Sequence, residues 1–345
     1  MKNSVEELNS ALGQRVSVRI QINGGYQDFL GVLEAPGEIR KKDGSLAQFD
    51  QSSIYAWRIV EPITEVGKGS PLSLRIREIE LAAFHTWLPR FTQERGPWQI
   101  RIDSGITKRA NSVLVLGDPV NNSEHTLQQE IQEAQKLFSQ SGLPLVFMVP
   151  TPLGGRTEEF LRQNNWETNG EILTMIGDAD VITPADENFH LEVLDNPSAE
   201  WLELESDQGL HELFTRTPAS YISITQQSAR RNAFLNQENG HEQDNDHEQD
   251  KNEILARGRI GFDNSWGILT RVFVKESSRG QGLGETIVRA AADIARRRNI
   301  RQLALHVDAD NVSAIALYSK LGFRKHHVVR FYQNRSIDSL EKANR

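Results

Sequence analysis

Between residues 272 and 298 the chain reads as a strand, a glycine-rich loop and a helix, and this junction constrains the fold more than any other feature. Val272-Phe273-Val274 leads into Lys275-Glu276-Ser277-Ser278-Arg279-Gly280-Gln281-Gly282-Leu283-Gly284. A helix follows to about residue 298, with Leu283, Ile287, Ala291 and Ile294 on one face and Glu285/Arg289 and Asp293/Arg297 as i,i+4 pairs. Glycines at the positive end of a helix leave backbone N–H groups unobstructed, which suits a pyrophosphate. A P-loop would need Gly-Lys-Ser/Thr, which is absent, and a dinucleotide fingerprint would need Gly or Ala where Glu285 stands. An acid does end the next strand, at Asp308, where a ribose contact could lie, but only 37 residues follow it, too few for a doubly wound sheet.

A third pattern, Arg/Gln-x-x-Gly-x-Gly/Ala, is matched by Arg279, Gly282 and Gly284. Downstream, a strand over 303–308 leads into Asn311-x-x-Ala314-x-x-Leu317-Tyr318-x-x-Leu321-Gly322-Phe323. In these two signatures, in this order, the chain resembles the GNAT superfamily of acetyl-CoA-dependent N-acetyltransferases. The resemblance implies an α/β fold of the α+β GNAT type with a mixed sheet, and acetyl-CoA as acetyl donor. It further implies that the backbone of Val272, Phe273 and Val274 pairs with the pantetheine arm, that Arg279, Gly280, Gln281, Gly282, Leu283 and Gly284 hold the pyrophosphate, that Asn311 hydrogen-bonds the pantetheine, and that Tyr318 protonates the departing thiolate. Without the family pattern, Tyr318 reads as a packed residue on the Ala314/Leu317/Leu321 face. A free thiol ionises near ~8.5 and tyrosine near ~10, so the resemblance makes Tyr318 an assisting acid.

Upstream, residues 71–180 read as a second α+β unit. A shift of 157 residues lays Gly142 on Asn299, 145–149 on 302–306, Phe160 on Leu317 and Trp166 on Phe323, without a gap. The expectation is a tandem repeat. Its first copy, a degenerate module, puts Leu161 where Tyr318 stands and Gly154 where Asn311 stands; its second copy, 187–335, is the active module. Short strands over 16–21, 29–34, 46–49 and 54–60, with Asp43-Gly44 as a hairpin turn, predict a small SH3-like β-barrel over 1–62, and 63–70 reads as a linker.

Net charge is −8, of which 236–253 alone contributes −6, so the rest is nearly neutral and no broad nucleic-acid surface is expected. That acidic stretch, with HEQD twice, reads as a solvated, disordered insertion, and its His241 and His247 as loop residues before metal ligands; no metal is expected. The absence of cysteine excludes disulfides, iron–sulfur clusters and thiol nucleophiles. No run approaches the ~20 apolar residues of a membrane span, and the start lacks a signal-peptide core, so no membrane partner and a cytoplasmic location are expected.

The acceptor is expected to be a small-molecule amine. The arrangement of barrel, first module and active module is similar to actinobacterial tandem-module GNAT proteins, some of them assigned as unusual short N-acetylglutamate synthases, which would place this chain in arginine biosynthesis. The alternative is a protein lysine or N-terminal acetyltransferase with the barrel as a partner-binding module. A glutamate acceptor requires cations, and the sequence offers Arg109, Arg257, Arg259 and Arg271 on or near predicted strands. Arg109 lies in the polar cluster 105–112, the part of the first module expected to reach the acceptor. For the base that deprotonates the amine, His306, Asp308 and Glu192 are the nearest candidates, each equally explicable as a strand-end polar residue.

Overall fold

A computed structural model describes residues 5–23, 25–41, 45–59, 71–119, 124–185, 189, 191–205, 207–225 and 253–334. The Asp43-Gly44 turn, the linker 63–70, His190 and the acidic stretch short of Glu253 lie outside them. The chain forms two compact units, Met1–Gly69 and Ser70–Arg345.

The first unit carries a short helix α1 (Val5–Asn9) and strands β1 (Arg15–Ile22), β2 (Gly25–Ala35), β3 (Glu38–Arg40), β4 (Leu46–Gln48) and β5 (Ile54–Ile59). They form an antiparallel sheet in the order β4-β3-β2-β1-β5. Alternation puts Val16 and Val18 inside with Leu8, Leu33, Ile39 and Trp57. At Gly31 a Cβ would lie 2.1 Å from the Arg40 carbonyl oxygen, so glycine alone lets β3 approach β2 there. Among the described residues β4 and β5 are the edges of this sheet, with no ladder between them.

The second unit is built on one 11-stranded sheet. Its first half contains α2 (Leu72–His85), β6 (Phe91–Arg95), β7 (Trp98–Ile102), β8 (Ser112–Val115), α3 (Glu124–Gln140), β9 (Val146–Pro150), α4 (Gly155–Gln163) and β10 (Glu167–Asp178). Its second half contains β11 (Glu192–Leu194), α5 (Ala199–Glu203), α6 (Gln208–Thr215), β12 (Ala219–Thr225), β13 (Ile254–Asp263), β14 (Trp266–Val274), α7 (Leu283–Arg297), β15 (Gln302–Asp308), α8 (Val312–Lys320) and β16 (Arg324–Gln333). Helix α2 stops at His85, and the chain turns into β6 at Phe91.

The two halves match by the shift of 157 residues: Gly155–Gln163 falls on Val312–Lys320, and the ends of α3 and α7 coincide. Each half has one parallel strand pair, Val113↔Phe147 in the first and Ile268↔Ala304 in the second, and the same shift carries Phe147 onto Ala304. The sheet order β11-β12-β13-β14-β15-β10-β16-β9-β8-β7-β6 shows how they join. Strand β10 of the first half lies between β15 and β16 of the second, and β16 lies between β10 and β9. Each half thus completes its sheet with a strand of the other.

In the first half the space beside the parallel pair is filled. Leu161, at the Tyr318 position, is fully buried. A Cβ at Gly154 would lie 2.3 Å from Val115. Asp118 caps α4, its carboxylate accepting from the Thr157 N–H at 2.8 Å and the Arg156 N–H at 3.2 Å. Asp118 thus supplies to α4 the side-chain cap that Asn311 supplies to α8.

Candidate active site

In the second half the corresponding space is open. The parallel ladder between β14 and β15 runs from Trp266↔Gln302 to Leu269↔Leu305 and stops. Arg271 adopts φ 56°, and the β13 register skips: Thr270 faces Arg259 and Phe273 faces Arg257, leaving Arg271 and Val272 opposite Gly258 alone. This β-bulge turns β14 away from β15. A notch of about 320 Å³ results, lined by β14 from Leu269 to Phe273, by β15 from Leu305 to Asp308, and by Arg109, Asn311, Ala314 and Tyr318. Among the described residues the β15-facing backbone of Val272–Val274 has no strand partner. Thr270 Oγ1, buried beside the bulge, has no hydrogen-bond partner among the described residues.

At the outer end of the notch stands the N-terminus of α7. Its cap residue, Gly282, has φ 81° and supplies no side-chain hydrogen bond, and Gly280 has φ 77°. A Cβ at either glycine would meet no atom within 4 Å, so the space above the loop is vacant and glycine is required by backbone conformation. Gly284 is different: a Cβ there would come to 3.3 Å from Leu317 and 3.4 Å from Val274, so it sets how closely α7, α8 and β14 meet. Glu285, in the first turn, is drawn aside by Arg289 at 2.5 Å and Lys320 at 2.6 Å. Arg279 is exposed and 3.9 Å from Glu276. Free N–H groups, an open cradle and a cation beside it fit a diphosphate group.

Tyr318 lies on the notch wall, 7% exposed and packed at 5.8 Å between ring centres against Phe323. Burial pushes its phenol up to about 12, so it stays protonated at working pH. Asn311, which lines the notch, caps α8: its Oδ1 accepts from the Ala314 N–H and the Ser313 hydroxyl, both at 3.1 Å, which assigns that oxygen to the helix and leaves its amide N–H₂ without a protein partner among the described residues.

A second cavity, about 540 Å³, adjoins the notch, and Arg109, Thr270, Arg271 and Asp308 line both. Its other walls include Trp87, Thr107, Lys108, Glu171, Asp310 and Phe331. The first half supplies Arg109 on a rigid turn. Asn111 Oδ1 accepts from the Asp103 and Gly105 N–H groups, its amide donates to the Thr107 carbonyl at 2.8 Å, and Ser112 Oγ donates to the Lys108 carbonyl at 2.6 Å. Burial lowers the pKa of Arg109, with Asp308 and Glu80 opposing, and no protein group bonds its guanidinium among the described residues. Lys108 bonds Asn169 and lies 5.4 Å from the Phe331 ring.

The other expected cations are already engaged. Arg257, 3% exposed, donates to Glu205 at 2.5 Å and stacks on Trp201, and Arg259, 1% exposed, donates to Thr217 at 2.9 Å. Arg257 lines the notch as well, and both guanidinium groups are held by these partners. Arg271 lines both cavities while its Nε donates to Glu205 at 2.7 Å. Of the three candidate bases, His306 and Asp308 line the notch, whereas Glu192 is on edge strand β11, three strands from β14, bonded to Ser223. Phe331 and Glu171 were missed because β16 and β10, which carry them, have no clean period-2 pattern.

Residues 201–323 match the Acetyltransferase (GNAT) family, and residues 74–235 match the family described as probable histone acetyltransferase Rv0428c C-terminal. An uncharacterized N-acetyltransferase YobR of Bacillus subtilis is 26% identical over 268 residues, spanning 73% of this chain and 97% of the relative. A mycothiol acetyltransferase of Amycolatopsis mediterranei is 38% identical over 69 residues, 20% of this chain and 23% of its own length. A GCN5-related N-acetyltransferase of Kribbella flavida shares the fold, with a TM-score of 0.55 at 13% identity over 75% of this chain and 95% of that one. The two signatures that frame the open notch lie within residues 201–323, and the match there makes the chain an enzyme with a GNAT-type N-acetyltransferase module.

Proposed function

We propose that the chain transfers acetyl from acetyl-CoA to the amine of an acceptor that also carries a carboxylate. The observation that supports this most is the continuity of the notch with the second cavity across Arg109, Thr270, Arg271 and Asp308. In this reading the freed edge of Val272–Val274 pairs with the pantetheine amides, the 279–284 loop holds the diphosphate, and Asn311 contributes its amide N–H. Tyr318 donates to the sulfur as it gains charge. On the acceptor side, Arg109 offers an unpaired fork for a carboxylate, and Asp308 an anion for the ammonium. Glutamate, which would make this an N-acetylglutamate synthase, is the narrowest form of the proposal; its second carboxylate would fall to Lys108.

A protein amine is the second reading, favoured by the exposure of Lys108 at the cavity rim and by a 33% match over 73 residues to a Bacillus subtilis protein named putative [ribosomal protein bS18]-alanine N-acetyltransferase. Thiol release from acetyl-CoA with L-glutamate, other free amino acids, L-alaninamide and a lysine peptide separates the two. The carboxylate reading expects free amino acids to exceed alaninamide, and Arg109→Ala to raise their KM by roughly 10- to 100-fold while leaving acetyl-CoA affinity unchanged. Equal rates with alaninamide and no effect of Arg109→Ala contradict it.

A further inference from the structure

We propose that His306 is the base that accepts the proton of the acceptor amine, with Glu80 as its positioning residue; this deepens the acetyl-transfer reading of the notch and rests on it. On β15, Leu303, Leu305 and Val307 pack into the core that includes α7, so His306 projects to the opposite face, the one covered by α2. There its Nε2 lies 2.8 Å from Glu80 Oε1, and His306 also lines the notch. Glu80, from the middle of α2, is 1% exposed. The same Oε1 accepts from His327 Nε2 at 2.9 Å and Thr174 Oγ1 at 3.2 Å, and Oε2 has no partner.

Burial alone would raise the Glu80 carboxyl, but His306 and His327 hold it well below the usual carboxylate range, so it is ionised. An ionised carboxylate can only accept, so the imidazole nitrogen facing it carries the hydrogen. His306 is thereby held as the Nε2–H tautomer, and its Nδ1, which has no protein partner among the described residues, presents a lone pair. Burial pushes His306 below the ordinary histidine value, Glu80 opposes this, and Arg109 and His327 add to it. The charged and titratable groups around the pair are Glu80 and Arg75 from α2, Arg101 from β7, Arg109 from the turn, His326 and His327 from β16, and Asp308 from its own strand.

The step balances as follows. The acceptor ammonium gives one proton to His306 Nδ1, and the freed nitrogen lone pair forms the C–N bond at the thioester carbonyl carbon. The C–S bond breaks with its electron pair on sulfur, which accepts a hydrogen bond from Tyr318 and takes up the second nitrogen proton through water. One proton, carried by the imidazole, leaves to solvent, and Glu80 stabilises the imidazolium in between.

Thiol release with L-glutamate and with L-alaninamide, measured across pH beside calorimetric acetyl-CoA binding, tests the assignment. His306→Gln should lower kcat by 10²- to 10⁴-fold with acetyl-CoA affinity kept within about twofold. In the wild type, kcat/KM should be flat above the ordinary histidine value of ~6.5 and fall only below it, because His306 must be neutral and its own pKa is depressed. Glu80→Gln removes the group that raises that pKa, so the acid limb should move to lower pH while the plateau falls about tenfold. Wild-type kcat and an unshifted acid limb in the two variants would overturn the proposal. Should His306→Gln not fold, nitrogen NMR of the wild-type imidazole decides: Nε2–H at pH 7 is expected, and an Nδ1–H tautomer or an imidazolium overturns it. A wild type that binds acetyl-CoA yet releases no thiol with any acceptor overturns the acetyl-transfer reading itself, and this assignment with it.

Discussion

Arg271 shows how one residue sets up the site. A left-handed conformation costs an ordinary side chain about 1–2 kcal/mol, and here it is imposed at the bulge that opens the notch. Its guanidinium is anchored to Glu205, which is buried and also grips Arg257. The sequence marked Arg271 as a cation before the coenzyme edge, and nothing in its neighbours announced the bulge, which follows from pairing with Gly258 across the sheet. Tyr318 makes a sharper prediction in this setting. With its phenol at about 12, handing a proton to a free thiolate is uphill by about 5 kcal/mol, so in the proposed transfer its part is a hydrogen bond to developing charge. Tyr318→Phe should lower kcat by something on the order of 10- to 100-fold, at the weak end for a general acid, and the loss should shrink with a more acidic leaving thiol. Unchanged kcat where chemistry limits the rate would make Tyr318 a packing residue.

At the scale of elements, strong periodicity was legible and exchange was not. Helix α7 was fixed by its apolar face and its glycine start, and α4 and α8 fall in register, each following a buried strand after a short loop. By contrast β10 opens with Glu167-Thr168-Asn169-Gly170-Glu171, and β16 opens with Arg324-Lys325-His326-His327, runs that no hydrophobic alternation marks as strands. Both sit in the middle of the sheet because each is flanked by strands of the other half, a long-range pairing that local pattern cannot carry. Buried His327 is polar for a reason outside its own strand: it bonds Glu80 from α2, more than 240 residues away in sequence. The exchange predicts that 71–184 and 185–345, expressed separately, each lack a central strand and fail to fold, while co-expression restores a soluble complex with acetyl-CoA binding. Cooperative unfolding of either fragment alone, seen by circular dichroism, would contradict this.

For the molecule as a whole, the two halves of the second unit divide the work. The first has closed its own notch with Leu161, Val115 and Asp118, and it supplies Thr107, Lys108 and Arg109, with Glu171 of β10, to the cavity beside the other notch. In the proposed reading, retention of a module without coenzyme motifs is explained by the acceptor walls it builds. No described helix is long and apolar enough to cross a membrane, and no described cluster of histidine and carboxylate groups could hold a metal. The central claim is that the notch between β14 and β15, closed by the α7 N-terminus, holds acetyl-CoA, and calorimetric titration tests it most directly. Wild-type protein should bind acetyl-CoA saturably, one per chain, and Gly282→Glu, which places a carboxylate in the open cradle, should abolish binding while the thermal unfolding transition remains cooperative. Equal affinity in a folded Gly282→Glu variant would contradict the account.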